Sequence, residues 1–595
     1  MSSDNCPTST KDPTGIILGI HRSIKSVFRR EDKGGSHEVR AESFYGENSP
    51  GELVPENAGI DGFVRSIKEK SLTGPIELIP GDGDRIAPPS GSDISGEGKV
   101  EIERYSVREP FTFIKITYDN GLKEYEYHVC EPELTGLEVE LLERLYDDLR
   151  DILIRGEPAQ SDVDRNSILR SKCDMLISIY GIDLPGRSRQ KILYYLERNY
   201  LGYGCIDALM HDGQIEDISC NGVNVPIFLF HKKYQNIKTN IKISKEDELN
   251  SLVMRLVQRG GRHISVANPI ANATLPDGSR IEATLGREVT TRGSSFTIRK
   301  FRPDPFTPVD MLKFKTMSSE MLSYFWLAIE NNKNLLFAGG TASGKTSSLN
   351  AVSLFVPQGA KVITIEDTRE LTLYHNNWIA GLTRDAPAIG VPGEISMYEL
   401  LKAALRQRPE YIIVGEVRGK EALTLFQAMN TGHTTYSTMH AGSIQAVVNR
   451  LLNEPINVPN MMLQSLNIVS IQELTYNEGV RARRTKSVVE ITGVDVKTNN
   501  LRINELFRWD SANDTYERLA ESYVINDIMA KRGWDRARID REINNRIKVL
   551  DHLQKENIRD YRSFSIVTHL YSVMPEQVLE LIDRGELRDL IRPEV

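Results

Sequence analysis

Apolar positions recur along this chain with two different periods, and the switches between them mark out its elements. In the runs 111–117 (Phe-Thr-Phe-Ile-Lys-Ile-Thr) and 125–129 (Tyr-Glu-Tyr-His-Val), apolar and polar residues alternate on either side of Asn120-Gly121, which predicts a β-hairpin. A three-and-four spacing then takes over. Leu142, Leu145, Leu149 and Ile152 form one stripe while Glu140, Glu143, Asp147 and Asp148 face water, the pattern of a packed helix. From 160 to 300 helical and strand patterns alternate, the strands including 224–230 and 295–299, and Arg302-Pro-Asp-Pro-Phe306 interrupts any regular element. A domain boundary is expected there. From 307 to about 505, short apolar strands alternate with helical stretches, as in a parallel sheet covered by helices. Beyond 505, Ile539, Ile543, Ile547, Leu550 and Leu553 line one helical face behind Asp535, a ready N-cap, and predict a small helical appendage.

Composition changes this picture at the amino terminus. Of the 43 glycines, 14 fall in the first 100 residues together with 8 prolines and 13 serines, so 1–100 are expected to be a disordered, linker-like extension. Within it, 15–30 mixes apolar and basic residues at roughly helical spacing; a transient solvated helix is one reading, contact with an anionic membrane or a partner groove the other. At about 100 to 200 residues per domain, 595 residues make three or four domains. The 74 Lys and Arg against 82 Asp and Glu leave a net charge of −8, which argues against a protein built to wrap nucleic acid. The five cysteines are dispersed and include no Cys-x-x-Cys pair, a cytosolic usage with neither disulfide framework nor structural zinc site. No run approaches the ~18 apolar residues of a membrane span, so a cytoplasmic chain is expected, touching a membrane only through a surface or a partner.

Candidate chemistry concentrates after residue 330. The apolar run 334–338 leads directly into Gly339, Gly340, Thr341, Ala342, Ser343, Gly344, Lys345, Thr346 and Ser347, followed by a helical pattern: a phosphate-binding loop between strand and helix. Its glycines let successive backbone N–H groups face phosphate oxygens, Lys345 neutralises the β and γ phosphates, and the Thr346 hydroxyl can ligate Mg2+. Two further apolar strands end in acids, one in Glu366-Asp367-Thr-Arg-Glu370 and one in Gly415-Glu416-Val-Arg418. Acids placed there can order Mg2+ and its waters, Glu416 being the candidate ligand beside Thr346, or activate the attacking water. A fourth strand, 432–441, carries His433 and His440; an imidazole can report a γ phosphate, and metal ligation by the pair is the other reading. Arg280, Arg299, Arg384 and Arg418 are candidates for stabilising transition-state charge, although most arginines are simply solvated.

Taken in order, the phosphate loop, 365–370, 415–418 and 432–440 resemble the secretion ATPase superfamily, the motors of type II and type IV secretion and of type IV pili. Arg406-Gln-Arg-Pro-Glu410, 215–222 and Glu454-Pro-Ile-Asn-Val-Pro459 resemble its archaeal branch, which drives archaella or archaeal type IV pili. The resemblance implies an α/β fold: a RecA-like P-loop ATPase core (307–505), a linker (301–306), a separate mixed α/β amino-terminal domain (101–300) and the helical appendage (506–595). It also implies ATP and Mg2+ as ligands, Glu366 and Glu416 as site acids, His440 as a γ-phosphate contact, and Arg280 and Arg299 as arginines brought by the amino-terminal domain. The partners it implies are a homohexamer and a polytopic membrane platform protein. The usual Ile-Glu-Asp-Pro is Ile-Glu-Asp-Thr here, and the tetracysteine module of bacterial relatives is missing. Two rivals remain, a RecA-like nucleic-acid translocase and a nucleotide-gated scaffold with little turnover.

Overall fold

The computed structural model describes residues 99–155, 162–384, 393–477, 480–495 and 501–591. The 15–30 segment lies outside them. Two nine-stranded sheets organise these residues.

The first sheet runs in the order β1 (Lys99–Arg108), β2 (Thr112–Asp119), β3 (Glu124–Cys130), β6 (Gln235–Lys242), β5 (Pro226–His231), β4 (Ile215–Cys220), β9 (Ser295–Arg299), β8 (Arg280–Thr284) and β7 (Ile270–Thr274). The 111–129 hairpin is its β2–β3 pair, antiparallel from Phe113↔Cys130 to Asp119↔Glu124. One face buries Ile114, Ile116, Ile218, Leu229, Ile281 and Ile298 against the helix Glu246–Arg259, whose Leu249, Leu252, Val253, Leu256 and Val257 recur at three and four residues. The helices Gly136–Arg155, Asp162–Tyr180 and Gly186–Tyr200 pack on one another beside it.

The second sheet is parallel through β12 (Trp378–Leu382), β11 (Val362–Glu366), β13 (Tyr411–Val414), β14 (Thr434–His440), β10 (Leu335–Gly339) and β15 (Ile468–Asn477). It continues antiparallel through β16 (Val480–Val494), β17 (Leu501–Asp510) and β18 (Thr515–Arg518). β10, β11 and β13 are buried along their whole length because helices cover both faces, which is why they read as unbroken apolar runs. The pleat sorts their residues. Leu335, Phe337, Val362, Tyr411 and Ile413 enter the core on one face, and Leu336, Ala338, Ile363, Ile365, Ile412 and Val414 the core on the other. This is a RecA-like α/β fold.

Residue 505 falls inside β17, and the sheet runs on to Arg518. In the helices from Tyr523 to Arg584, Ile528, Leu550, Leu553, Phe564, Val567 and Tyr571 belong to the same core as Trp326, Phe337 and Phe355. Asp535 caps its helix as the sequence predicts, accepting the Arg538 N–H at 2.8 Å. Between β9 and the helix Pro308–Lys313 the chain is irregular; the Phe301 N–H donates to Ser279 Oγ at 3.1 Å and Arg302 lies 3.8 Å over the Phe306 ring. No helix among the described residues is long and apolar enough to cross a membrane.

Candidate active site

The carboxyl ends of parallel strands in an open α/β sheet leave a crevice where ligands bind, and here β10, β11, β13 and β14 deliver their last residues to one such edge. After β10 the loop coils through Ala342 (φ 57°) and Gly344 (φ 89°) before the helix Lys345–Ser353 begins. Two left-handed residues on either side of Ser343 produce the concave run of amides that suits an anion. Gly344 has a second reason to lack a side chain, since a Cβ there would come within 3.0 Å of Arg483 Cδ. Lys345 Nζ donates to the Gly340 carbonyl at 2.8 Å and lies 3.4 Å from His440 Nδ1. Burial lowers the Lys345 pKa, while Glu416 and Glu370 act to raise it.

Glu416 follows β13 and faces this amine. Its Oε1 is 3.3 Å from His440 Nε2, and its Oε2 accepts from Arg418 at 2.6 Å. Burial works to raise its pKa, but Arg418, His440 and Lys345 outweigh it and hold the carboxyl below its ordinary value of 4.5. His440 ends β14, opposite Gly339 in register, and its carbonyl accepts from Arg450 at 2.7 Å. Burial and the nearby Lys345 push its imidazole below 6.5, against the pull of Glu416.

The other sequence-based candidates hold other partners. Glu366, at the end of β11, is 2% exposed; its Oε1 accepts the N–H groups of Glu370 (2.9 Å) and Leu371 (3.0 Å), and its Oε2 is buried without a partner among the described residues. Burial raises its pKa to about 8. The side chain sits under Gly415, where a Cβ would meet Glu366 Cγ at 3.1 Å, so it supports the loop from inside. His433 lies before the first residue of β14, at the opposite end of that strand from His440, beside Thr431 (3.2 Å), which removes the histidine pair as a metal site. Arg280 stands opposite Arg299 in register, but its Nε donates to Asn272 at 3.2 Å. Arg299 itself reaches the site, 3.8 Å from Glu370. Arg384 donates to the Gly393 carbonyl at 2.9 Å, and Arg418 holds Glu416.

The acid that faces the site from the β11 loop is thus Glu370, which shares its field with Lys345 and Arg299. It stood in the sequence as the last carboxylate of that run, but no spacing rule says which of three acids in an irregular loop turns outward. Arg483, on β16, donates to the Ala342 carbonyl at 3.0 Å. Its only sequence signal is the alternation of Arg481 and Arg483 in a strand pattern.

The family model described as "Type II/IV secretion system protein" matches residues 223–563, more than half of the chain. The chain belongs to the type II/IV secretion system protein family. A second model, "PilB3-like, N-terminal", matches 90–133. An uncharacterized protein of Methanocaldococcus jannaschii is 36% identical over 384 residues, covering 64% of this chain and 69% of that protein. The type IV secretion system protein PtlH of Bordetella pertussis is 30% identical over 275 residues, 40% of this chain and 79% of that protein. Among solved structures, the VirB11 ATPase of the Brucella suis type IV secretion system aligns over 47% of this chain and 92% of its own at 24% identity and a TM-score of 0.25. The match to the secretion family thus spans the second sheet, the phosphate loop and the first two carboxyl-terminal helices.

Proposed function

We propose that this chain hydrolyses ATP and works as the hexameric motor of a pilus-like filament, archaellum or secretion machine, acting from the cytoplasm on a polytopic membrane platform protein. The observation that carries the reading is the convergence of Lys345, Glu416 and His440 within 3.4 Å steps of one another at the mouth of the phosphate loop, with Glu370 and Arg299 beside them. A scaffold that only binds nucleotide has no need of an ionised acid and a neutral imidazole aimed at the γ-phosphate position. The amides of Ser343 to Ser347 and the Lys345 ammonium would hold the β and γ phosphates. Thr346 and Glu416 offer only oxygen ligands, the donor set of a hard cation, and would hold Mg2+, which would supply charge neutralisation for the phosphates. Glu416 and Glu370 are the acids that orient and deprotonate the attacking water, and His440 donates to the γ phosphate. Glu366 keeps the Glu370 backbone in place.

Arg299 arrives from the first sheet and Lys345 from the second. Charge on a γ phosphate competes with Glu370 for the Arg299 guanidinium, and loss of that phosphate on hydrolysis returns it, so turnover shifts one sheet against the other. The decisive experiment is Glu416→Gln in the full chain. Turnover should fall at least about a hundredfold while nucleotide binding survives; unchanged filament or secretion function in cells carrying the variant would favour a scaffold instead.

A further inference from the structure

We propose that Arg483 is a positioning residue of the nucleotide site, one that fixes the peptide between Ala342 and Ser343 so that the Ser343 N–H faces the phosphates. The inference rests on the nucleotide reading above. A trans peptide is planar and its C=O and N–H point in opposite directions, so holding one end fixes the other. The Ala342 carbonyl accepts from Arg483 Nε at 3.0 Å, and the arginine stem passes within contact of Gly344. Ala342 is a non-glycine residue at φ 57°, in the left-handed region that a residue with a Cβ rarely adopts. Rotating this peptide, through ψ of Ala342 and φ of Ser343, would turn the N–H out of the anion cradle. The guanidinium opposes the rotation with a charge-assisted hydrogen bond on the outer side, where it leaves the phosphate face clear.

The strand is braced for this task. The adjacent Arg484 is buried and clamps Asp514 at 2.6 and 2.9 Å and the Phe314 carbonyl at 2.8 Å, which anchors β16. Two residues before Arg483, and so on the same face of the strand, Arg481 lies 5.7 Å over the ring of Phe230 in β5 of the first sheet. One strand therefore touches both the first sheet and the phosphate loop.

The test compares Arg483→Ala, Arg483→Lys and the control Lys486→Ala, which removes a cation of the same strand paired with Glu473. Fluorescent ADP and ATP analogues with Mg2+ are titrated into the full chain, and steady-state turnover and amide hydrogen exchange are followed. A lost charge-assisted bond should weaken both nucleotides alike by about tenfold in Arg483→Ala. KM should rise to match, with kcat within about twofold of wild type. Exchange should increase over 340–346, Lys should restore most of the affinity, and Lys486→Ala should leave it unchanged. Unaltered affinity in Arg483→Ala overturns the inference and leaves the nucleotide reading standing. A loss confined to ATP overturns it too, because it would mark a direct γ-phosphate contact. Wild-type protein that binds neither nucleotide removes the nucleotide reading itself.

Discussion

Arg299, the last residue of β9, stands 3.8 Å from the carboxylate of Glu370, so an ion pair joins the end of one sheet to the loop after β11 in the other. The arginine side chain is 71% exposed and the pair lies largely in water, where such pairs contribute at most about 1 kcal/mol. An arginine that reaches a transferring phosphoryl group contributes about a thousandfold or more in rate. The two roles therefore separate experimentally. Arg299→Ala should lower kcat at least about a hundredfold and leave the unfolding midpoint within about 2 °C of wild type. Turnover within threefold of wild type would reduce Arg299 to a surface tie.

Glu366 and Glu370 should respond in opposite ways to amidation. Glu366 is buried and its Oε1 is taken up by two backbone N–H groups, so Glu366→Gln keeps its shape and its role as backbone acceptor and should retain most turnover. Glu370→Gln removes an acid from the site and should lose turnover by about a hundredfold or more. A matched loss in both variants would return Glu366 to the catalytic set.

The same buried carboxyl predicts a pH dependence of stability. Its pKa is raised from 4.5 to about 8 in the fold, mainly by burial, so in the folded chain it keeps its proton through a range in which the unfolded chain has lost it. The folded state then binds more protons than the unfolded state between about pH 4.5 and 8, and stability falls as pH rises through that window. The slope is at most about 1.4 kcal/mol per pH unit. Glu366→Gln has no proton to lose, so denaturant titrations from pH 5 to 8 should show its stability gaining on wild type with each unit. Parallel profiles would contradict the buried, protonated carboxyl.

Turnover should have its own profile. Glu416 is held below 4.5 and His440 below 6.5, so near neutral pH the acid is ionised and the imidazole neutral. The rate should be flat from about pH 7 to 8 and fall only in the acid range, as first His440 and then Glu416 take up protons. An inflection at or above pH 7 would show imidazolium to be the working form.

Much of this site was legible in the chain, because a phosphate loop is local: strand, glycines, lysine and helix are contiguous, and their order dictates their geometry. The acid of Gly415-Glu416 was legible for the same reason, as it directly follows a buried strand. What could not be read was orientation in irregular loops. Glu366 turned inward because two backbone N–H groups and the space over Gly415 receive it, and both depend on strands that pair only in three dimensions. His433 directly precedes β14 and His440 ends it, and a seven-residue strand spans about 20 Å, so two residues close in sequence stand at opposite ends of it. The extent of the core was hidden as well. The apolar face at 539–553 predicts a packed helix but does not say which surface it covers.

That surface decides how the carboxyl-terminal region behaves when damaged. Trp326 stacks on Phe355 with centroids 5.1 Å apart and planes at 11°, and Tyr571 meets its indole at 5.1 Å. Phe564 packs on Phe355 at 5.7 Å, and the buried Arg546 lies 5.3 Å from both the Trp326 and Tyr571 rings while pairing with Glu330 at 2.5 Å. These contacts join helices after residue 523 to the layer directly behind the phosphate-loop strand. Removing a buried phenylalanine costs about 3–5 kcal/mol through lost transfer energy and a cavity. If the helices are part of the nucleotide domain's core, Phe564→Ala should destabilise the unfolding transition that Mg2+ and nucleotide shift upward, since a ligand stabilises only the unit that binds it. A self-contained appendage would behave differently, with Phe564→Ala lowering a separate, nucleotide-insensitive transition and leaving the other in place. Calorimetry with and without ADP distinguishes the two outcomes, and a single nucleotide-sensitive transition displaced downward by the substitution is the one expected.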